Sequence, residues 1–281
     1  MSEVTRRKDI AGRAEYSRQE MMAVAGSRML KDGELVLVGS GLPMVATILA
    51  KYTHAPNLVI MTEAGVYDAQ PLHLPFCVAD ARFSFNNPWM GTPIELLGHI
   101  LQTKRIDVGF LGGAQVDKYG NLNSTCVGDY FHPHKRFEGS GGAADFAAMA
   151  NRTIIIMSHE KRRFVDEVDF ITSPGWRCSK FPDNKKVFRE ELGLWGGPVA
   201  VVSTMGIMKF HPETRVMYVD AYFDDLGVTL EEIKENTGFD IYTSKAVPCT
   251  PPTYAELELL RTRIDPEGIY MRYTPLTAAA K

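Results

Sequence analysis

The chain has 281 residues, 45% of them hydrophobic and 23% charged, which excludes a disordered or fibrous protein and leaves ample length for a buried core. Lys plus Arg total 31 against 34 Asp plus Glu, a net charge of −3. That balance gives nucleic-acid binding no overall support.

The opening segment, MSEVTRRKDIAGR, is charged and lacks an apolar centre, so it does not read as a secretory signal; residues 1–16 are expected to form a flexible arm. Ser17 and Glu20 then make a capping box. Met21, Val24, Ala25 and Met29 follow at helical spacing, with Gly33 placed to end the helix. An apolar strand is expected over Leu35–Val38, then a Gly39-Ser40-Gly41-Leu42-Pro43 turn and a second helix. The uncharged run from Leu35 to Ala50 is interrupted by these residues and is too short to span a membrane.

Further strands are expected at Leu58–Met61, Val108–Leu111, Thr153–Met157 and Val199–Val202. A late hairpin joins Met208–Phe210 to Val216–Val219 through His211-Pro212-Glu213-Thr214. Capping boxes recur at Thr92–Glu95, Thr229–Glu232 and Thr253–Glu256. Strand runs rich in Val and Ile with almost no polar alternation read as buried on both faces. Their alternation with helices predicts an α/β fold, an open and mostly parallel sheet flanked by helices, forming one domain over 17–281. The polar stretch from Cys178 to Leu194 is expected as a surface excursion. The four cysteines (Cys77, Cys126, Cys178, Cys249) lie about fifty or more residues apart, which argues against a disulfide framework or zinc knuckle and points to a reducing, cytoplasmic setting.

Residues able to carry chemistry collect where strands end. Amides of Gly39, Ser40 and Gly41, between a strand and a helix, suit an anion or a carbonyl oxygen, although taken alone they are better explained by a tight turn. Glu63 directly follows an apolar strand, at the sheet edge where open α/β sheets bind ligands, although by itself it reads more simply as a surface or helix-capping residue. Gly112-Gly113 leads into a polar hairpin turn at Tyr119-Gly120-Asn121. Gly139-Ser140-Gly141-Gly142-Ala143 packs three glycines into five residues, which implies close approach of backbone to a ligand or another chain. His132-Pro133-His134 lacks a third metal ligand. The run His159-Glu160-Lys161-Arg162-Arg163 could attract phosphate but reads more simply as a solvated face. No elbow, P-loop or zincin motif is present.

In this order the motifs resemble the class I CoA-transferases, most closely the B (beta) subunits of the glutaconate CoA-transferase type. The strings that carry the resemblance are VGSGLP (38–43), TEAG around Glu63, GGAQVDKYGNLNST (112–125), GDYFHPHKRFEGSGGA (128–143), HEKRRF (159–164), TSPGW (172–176) and ENTGFD (235–240). The similarity extends from about Ser17 to about Arg272. It implies the sheet arrangement of CoA-transferase subunits (the NagB/RpiA/CoA-transferase type) and an A (alpha) subunit that completes the active site in a hetero-oligomer. It also implies Glu63 as the catalytic glutamate and residues 139–143 as the loop beside the reacting thioester. Gln115 and Asn123, with Gly39, Ser40 and Gly41, are carried over as contacts for substrate or CoA. Coenzyme A would be a substrate, with no permanently bound cofactor and no metal. Where many relatives have Ser after the glutamate this chain has Ala64, which removes one hydroxyl. Arg82, Asn86, Asn87 and Trp89 are candidates for the acyl pocket, and an Asn-Asn-Pro turn is the structural alternative. Alternatives on the same scaffold are acyl-CoA hydrolysis, carbon–carbon cleavage or decarboxylation. A non-enzymatic ligand-sensing domain is a further reading, but it would want a DNA-binding helix pair that the short arm cannot supply.

Overall fold

The computed structural model describes residues 16–271. Nearly all of the expected arm, 1–15, lies outside them, as do 272–281. In chain order the first half contains α1 (Arg18–Ser27), β1 (Leu35–Val38), α2 (Leu42–Tyr52), β2 (Val59–Thr62), β3 (Val66–Tyr67), β4 (Trp89–Met90), β5 (Val108–Leu111), β6 (Gln115–Asp117), β7 (Leu122–Asn123), β8 (Cys126–Gly128) and β9 (Pro133–Arg136). The second half has α3 (Ala143–Met149), β10 (Arg152–Met157), β11 (Phe164–Val165), β12 (Arg177–Lys180), β13 (Lys185–Phe188), β14 (Pro198–Ser203), β15 (Gly206–Phe210), β16 (Met217–Tyr222), α4 (Leu230–Glu235), β17 (Val247–Pro248) and α5 (Tyr254–Leu259).

Ten strands form one sheet in the order β17-β16-β15-β14-β10-β5-β1-β2-β3-β4. Its centre, from β14 to β2, is parallel throughout, and antiparallel pairs (β14–β15, β15–β16, β2–β3, β3–β4) extend it on both sides. The expected strands therefore form, and the late hairpin is β15–β16. Side chains of β5 show how both faces are covered, because successive residues point to opposite sides. A Cβ added at Gly26 of α1 would meet Ile156 and Phe110, whereas one at Gly109 would meet Phe146 and Ala150 of the α3 segment. Hence α1 and α3 lie on opposite faces of the sheet, and β1, β5 and β10 are buried between helices.

The capping boxes at Ser17 and Thr253 form in full. Thr92 and Glu95 also cap reciprocally, but the helix they open, Glu95–Leu101, is π-helical. At Thr229 only the first half forms, since the Glu232 carboxylate meets Arg18 at 3.4 Å instead. The first helix stops at Ser27, short of Gly33: the Ser27 hydroxyl donates back to Val24 O at 2.9 Å, and Gly33, at φ +79°, serves the turn into β1. The excursion 178–194 is built on the β12–β13 hairpin, and its foot is not superficial. Arg189 is fully buried and donates to the carbonyls of Gly175 (3.0 Å), Ala147 (2.6 Å) and Trp195 (2.7 Å), which ties the hairpin to the end of α3. Among the described residues no helix is long and apolar enough to cross a membrane.

Candidate active site

A cleft of about 400 Å³ opens along one edge of the sheet. Parallel strands all end on the same side, so the residues after them converge there: Gly39-Ser40 after β1, Glu63 after β2, Gly112 after β5, Ser158 after β10 and Thr204 after β14. Met22 of α1 and Phe146 of α3 wall the cleft from opposite faces of the sheet. Among its described lining residues Glu63 is the sole titratable side chain.

The sequence after β2 explains how Glu63 is held. Gly65 N–H donates to Thr62 O at 3.0 Å, turning the chain sharply. At φ +96° Gly65 also lies so close to Gly91 that a Cβ there would stand 2.0 Å from the Gly91 carbonyl oxygen, so only glycine fits. The carboxylate therefore sits on a rigid corner. From the other side of the cleft Gly142 N–H donates to Glu63 Oε2 at 2.9 Å, across 79 residues of chain. A Cβ at Gly142 would fall 2.7 Å from that oxygen and 2.8 Å from the Phe146 ring, so the close approach requires glycine. Gly141 has φ +48° and lies beside both Glu63 oxygens. The amides of Ser140 and Gly141 donate to no other described residue, and Ser140 lines the cleft. A carboxylate, two uncommitted amides and a partly apolar cleft can together attack a carbonyl and stabilise the oxyanion that results.

Other candidate residues fall in several places. Gly39 and Ser40 line the cleft, and the Ser40 hydroxyl accepts from Val78 N–H at 3.1 Å. Gly41 sits at the start of α2 with φ +93° and its carbonyl accepts from Met44 and Val45, so it shapes the turn and does not line the cleft. Gln115 and Asn123, expected as contacts, are 5% and 0% exposed and are placed elsewhere. Asn123 Nδ2 donates to Gln115 Oε1 at 2.7 Å and to Cys126 O at 2.6 Å, so their amides satisfy one another inside the protein. The acyl-pocket candidates do not reach the cleft either. Arg82 donates to Leu74 O, Asn86 to Gln70 and Asn87 to Trp89 O, while Trp89 packs edge-on against Tyr67 and occupies the space beside Gly91.

His159 departs from the solvated-face reading of its run. It is buried, stacked on Phe164 at 3.7 Å, and bonded through Nδ1 to Ser203 and through Nε2 to Thr237, both at 3.0 Å. Burial lowers its pKa to about 3, which keeps the ring neutral. Glu160, Arg162 and Arg163 pair among themselves. Ser158 and Thr204 escaped the sequence reading because lone hydroxyl residues carry no motif; their place one residue beyond apolar strands was the available signal.

A coenzyme A transferase family model matches residues 19–236. The chain is 42% identical to the B subunit of glutaconate CoA-transferase of Acidaminococcus fermentans, over 92% of this chain and 96% of that protein. It is 41% identical to the B subunit of 3-oxoadipate CoA-transferase of Pseudomonas knackmussii, over 88% and 92%. Its fold superposes on the crystal structure of glutaconate coenzyme A-transferase from A. fermentans with a TM-score of 0.84 at 40% identity, covering 92% of this chain and 98% of that one.

Proposed function

The chain belongs to the coenzyme A transferase family, and from that premise we propose that it is the B-type subunit of an acyl-CoA:carboxylate CoA-transferase with Glu63 as nucleophile. The observation that carries this reading is the isolated carboxylate at the C-terminal edge of the parallel strands, held by the Gly142 amide at 2.9 Å.

Glu63 attacks the thioester carbonyl of an acyl-CoA. The tetrahedral oxyanion collapses to a mixed acyl-glutamyl anhydride and releases CoA thiolate. The thiolate attacks the glutamyl carbonyl, which frees the first carboxylic acid and leaves CoA as a thioester on Glu63. A second carboxylate reverses these steps and departs as the new acyl-CoA. Each addition builds an oxyanion in a different place. The uncommitted amides of Ser140 and Gly141 suit the substrate carbonyl, whereas Gly142 N–H already meets the oxygen on which charge develops when the glutamyl carbonyl is attacked. A carboxylate is a weak nucleophile, so positioning supplies much of the rate, up to about 7–11 kcal/mol in good cases. Binding of the long pantetheine arm, remote from the reacting atoms, offsets the cost of the anhydride.

The reading includes an A-type partner in a hetero-oligomer, coenzyme A only as substrate, and a cytoplasmic setting. Support for the partner comes from the relatives, which are named as B subunits. The test is co-expression with an A-type partner, followed by exchange of isotopically labelled free acid into its acyl-CoA. Exchange by the pair, with none by the single chain or by a Glu63→Gln pair, is expected. Robust exchange by the single chain would overturn the two-subunit reading, and exchange by the Gln variant the nucleophile.

A further inference from the structure

The loop that faces Glu63 is fixed from outside the cleft by one side chain. Gly139 opens the loop, and both polar groups of its backbone meet Ser124: Gly139 N–H donates to Ser124 O at 3.1 Å, and Ser124 Oγ–H donates to Gly139 O at 2.9 Å. The second bond has a consequence two atoms away. Gly139 C=O and Ser140 N–H belong to one planar trans peptide and point in opposite directions. Holding the carbonyl on Ser124 therefore turns the Ser140 N–H away from Ser124; this amide is one of the two left uncommitted, and Ser140 lines the cleft that holds Glu63.

Ser124 is itself held. The side chain of Asn123 accepts from Thr125 N–H at 3.0 Å and Cys126 N–H at 3.2 Å, which closes the turn containing Ser124. Ser124 N–H donates to Thr172 Oγ1 at 2.9 Å, and Thr172 also bonds the Thr125 hydroxyl at 2.7 Å. Asn123 is anchored in turn on Gln115, whose Nε2 donates to Asp169 at 3.1 Å. The chain of bonds runs from a buried amide pair to the first peptide of the glycine loop. At φ +95° Gly139 has no side chain to restrict that peptide, so an external bond is what sets its rotation.

We propose that Ser124 is a positioning residue for the transfer reaction: its hydroxyl sets the orientation of the Gly139–Ser140 peptide and so aims the Ser140 amide at the thioester oxyanion. This rests on the functional reading above. It assigns the Gln115 and Asn123 network the task of supporting Ser124 and not of touching substrate.

The experiment uses the co-purified two-subunit enzyme with Ser124→Ala and Ser124→Thr, the latter keeping a hydroxyl. The Ala variant should lose about 10-fold or more in kcat, as expected when an oxyanion donor is misaimed. Its KM for acyl-CoA should change less than about 3-fold, since an interaction made only in the transition state lowers kcat alone. Its melting temperature and its association with the partner should stay close to the parent's, and the Thr variant should recover most of the rate. A kcat for the Ala variant within about twofold of the parent overturns the proposal. So does a rise in KM at unchanged kcat, or a lost rate that accompanies a lowered melting temperature and is not rescued by Thr. Labelling of Glu63 by acyl-CoA in the parent enzyme is followed in parallel: its absence would count against the functional reading, whereas intact labelling with a fully active Ala variant counts against Ser124 alone.

Discussion

Two carboxylates in this protein follow the same local recipe and have opposite fates. Asp117 and Glu63 each lie at the end of a short strand, at a sharp turn with a nearby glycine. Asp117 is saturated by its own turn: it accepts from Tyr119 N–H at 2.9 Å, from Asn121 N–H at 3.0 Å and from Asn121 Nδ2 at 2.7 Å, and it is buried. Glu63 accepts one amide, from a loop 79 residues away, and opens into a cleft. A carboxylate consumed by local donors builds architecture, whereas one with a single distant donor keeps a lone pair for chemistry. The comparison predicts that changes at the first site alter stability and leave the reaction alone, and that changes at the second do the reverse.

The largest effect belongs to Glu63→Gln, which keeps the shape and removes the carboxylate proposed as nucleophile. Transfer by the two-subunit enzyme should fall by more than about 10³-fold with the melting temperature nearly unchanged. A smaller loss, near 10²-fold, is expected for Gly142→Ala, because the new methyl displaces either the Glu63 oxygen 2.7 Å away or the Phe146 ring. Steady-state kinetics with both substrates would check it. Gly141→Val should cost about tenfold: the site is more open, with Glu63 oxygens at 3.6 and 3.7 Å, but the φ of +48° strains a β-branched residue.

At Asp117 the prediction moves from rate to stability. Asp117→Ala leaves two turn amides and the Asn121 side chain without their acceptor, so stability should fall by about 1–3 kcal/mol while kcat stays within about twofold. Chemical denaturation and steady-state assays measure the two. A subtler effect concerns pH. Burial raises the Asp117 pKa to about 6 against the pull of its hydrogen bonds. The folded state therefore holds its proton more tightly than the unfolded chain, and this group's contribution to stability is present at low pH and lost as pH rises through about 6. His159, with its pKa lowered to about 3 by burial, acts in the opposite sense, disfavouring the fold as pH falls below the ordinary histidine range. The diagnostic is thus the difference between parent and Asp117→Asn melting temperatures at pH 4.5 and pH 7. The parent should lose more stability than the variant on going to the higher pH, and equal changes would exclude Asp117 as the titrating group.

Much of this arrangement is legible in the residues. Apolar runs located the central strands to within a residue or two, since strands buried on both faces cannot hide their composition. The glycine loop stands out because three glycines together need a reason, whereas Glu63, which by position alone reads as readily as a surface or capping residue, is singled out by the family resemblance. Side chains whose partners are backbone carbonyls or remote amides stayed illegible. Arg189 sits in a charged stretch that reads as surface, yet its guanidinium gathers carbonyls from segments that only the fold brings together. Gln115 and Asn123 carry amides that look suited to substrate, and their pairing with each other appears only once β6 and β7 are side by side. Residue type announces polarity, and topology decides which partner receives it.

The central claim is that Glu63 becomes covalently loaded. Exposing the two-subunit enzyme to acyl-CoA without an acceptor, then to borohydride or hydroxylamine, tests it most directly. Inactivation is expected only of enzyme that has met acyl-CoA, with mass spectrometry placing the reduced or hydroxamate product on the peptide spanning 61–66, at Glu63. A hydrolase or decarboxylase using this carboxylate as a base would turn over without trapping CoA on it. Active transfer with no substrate-dependent modification of that peptide would contradict the claim.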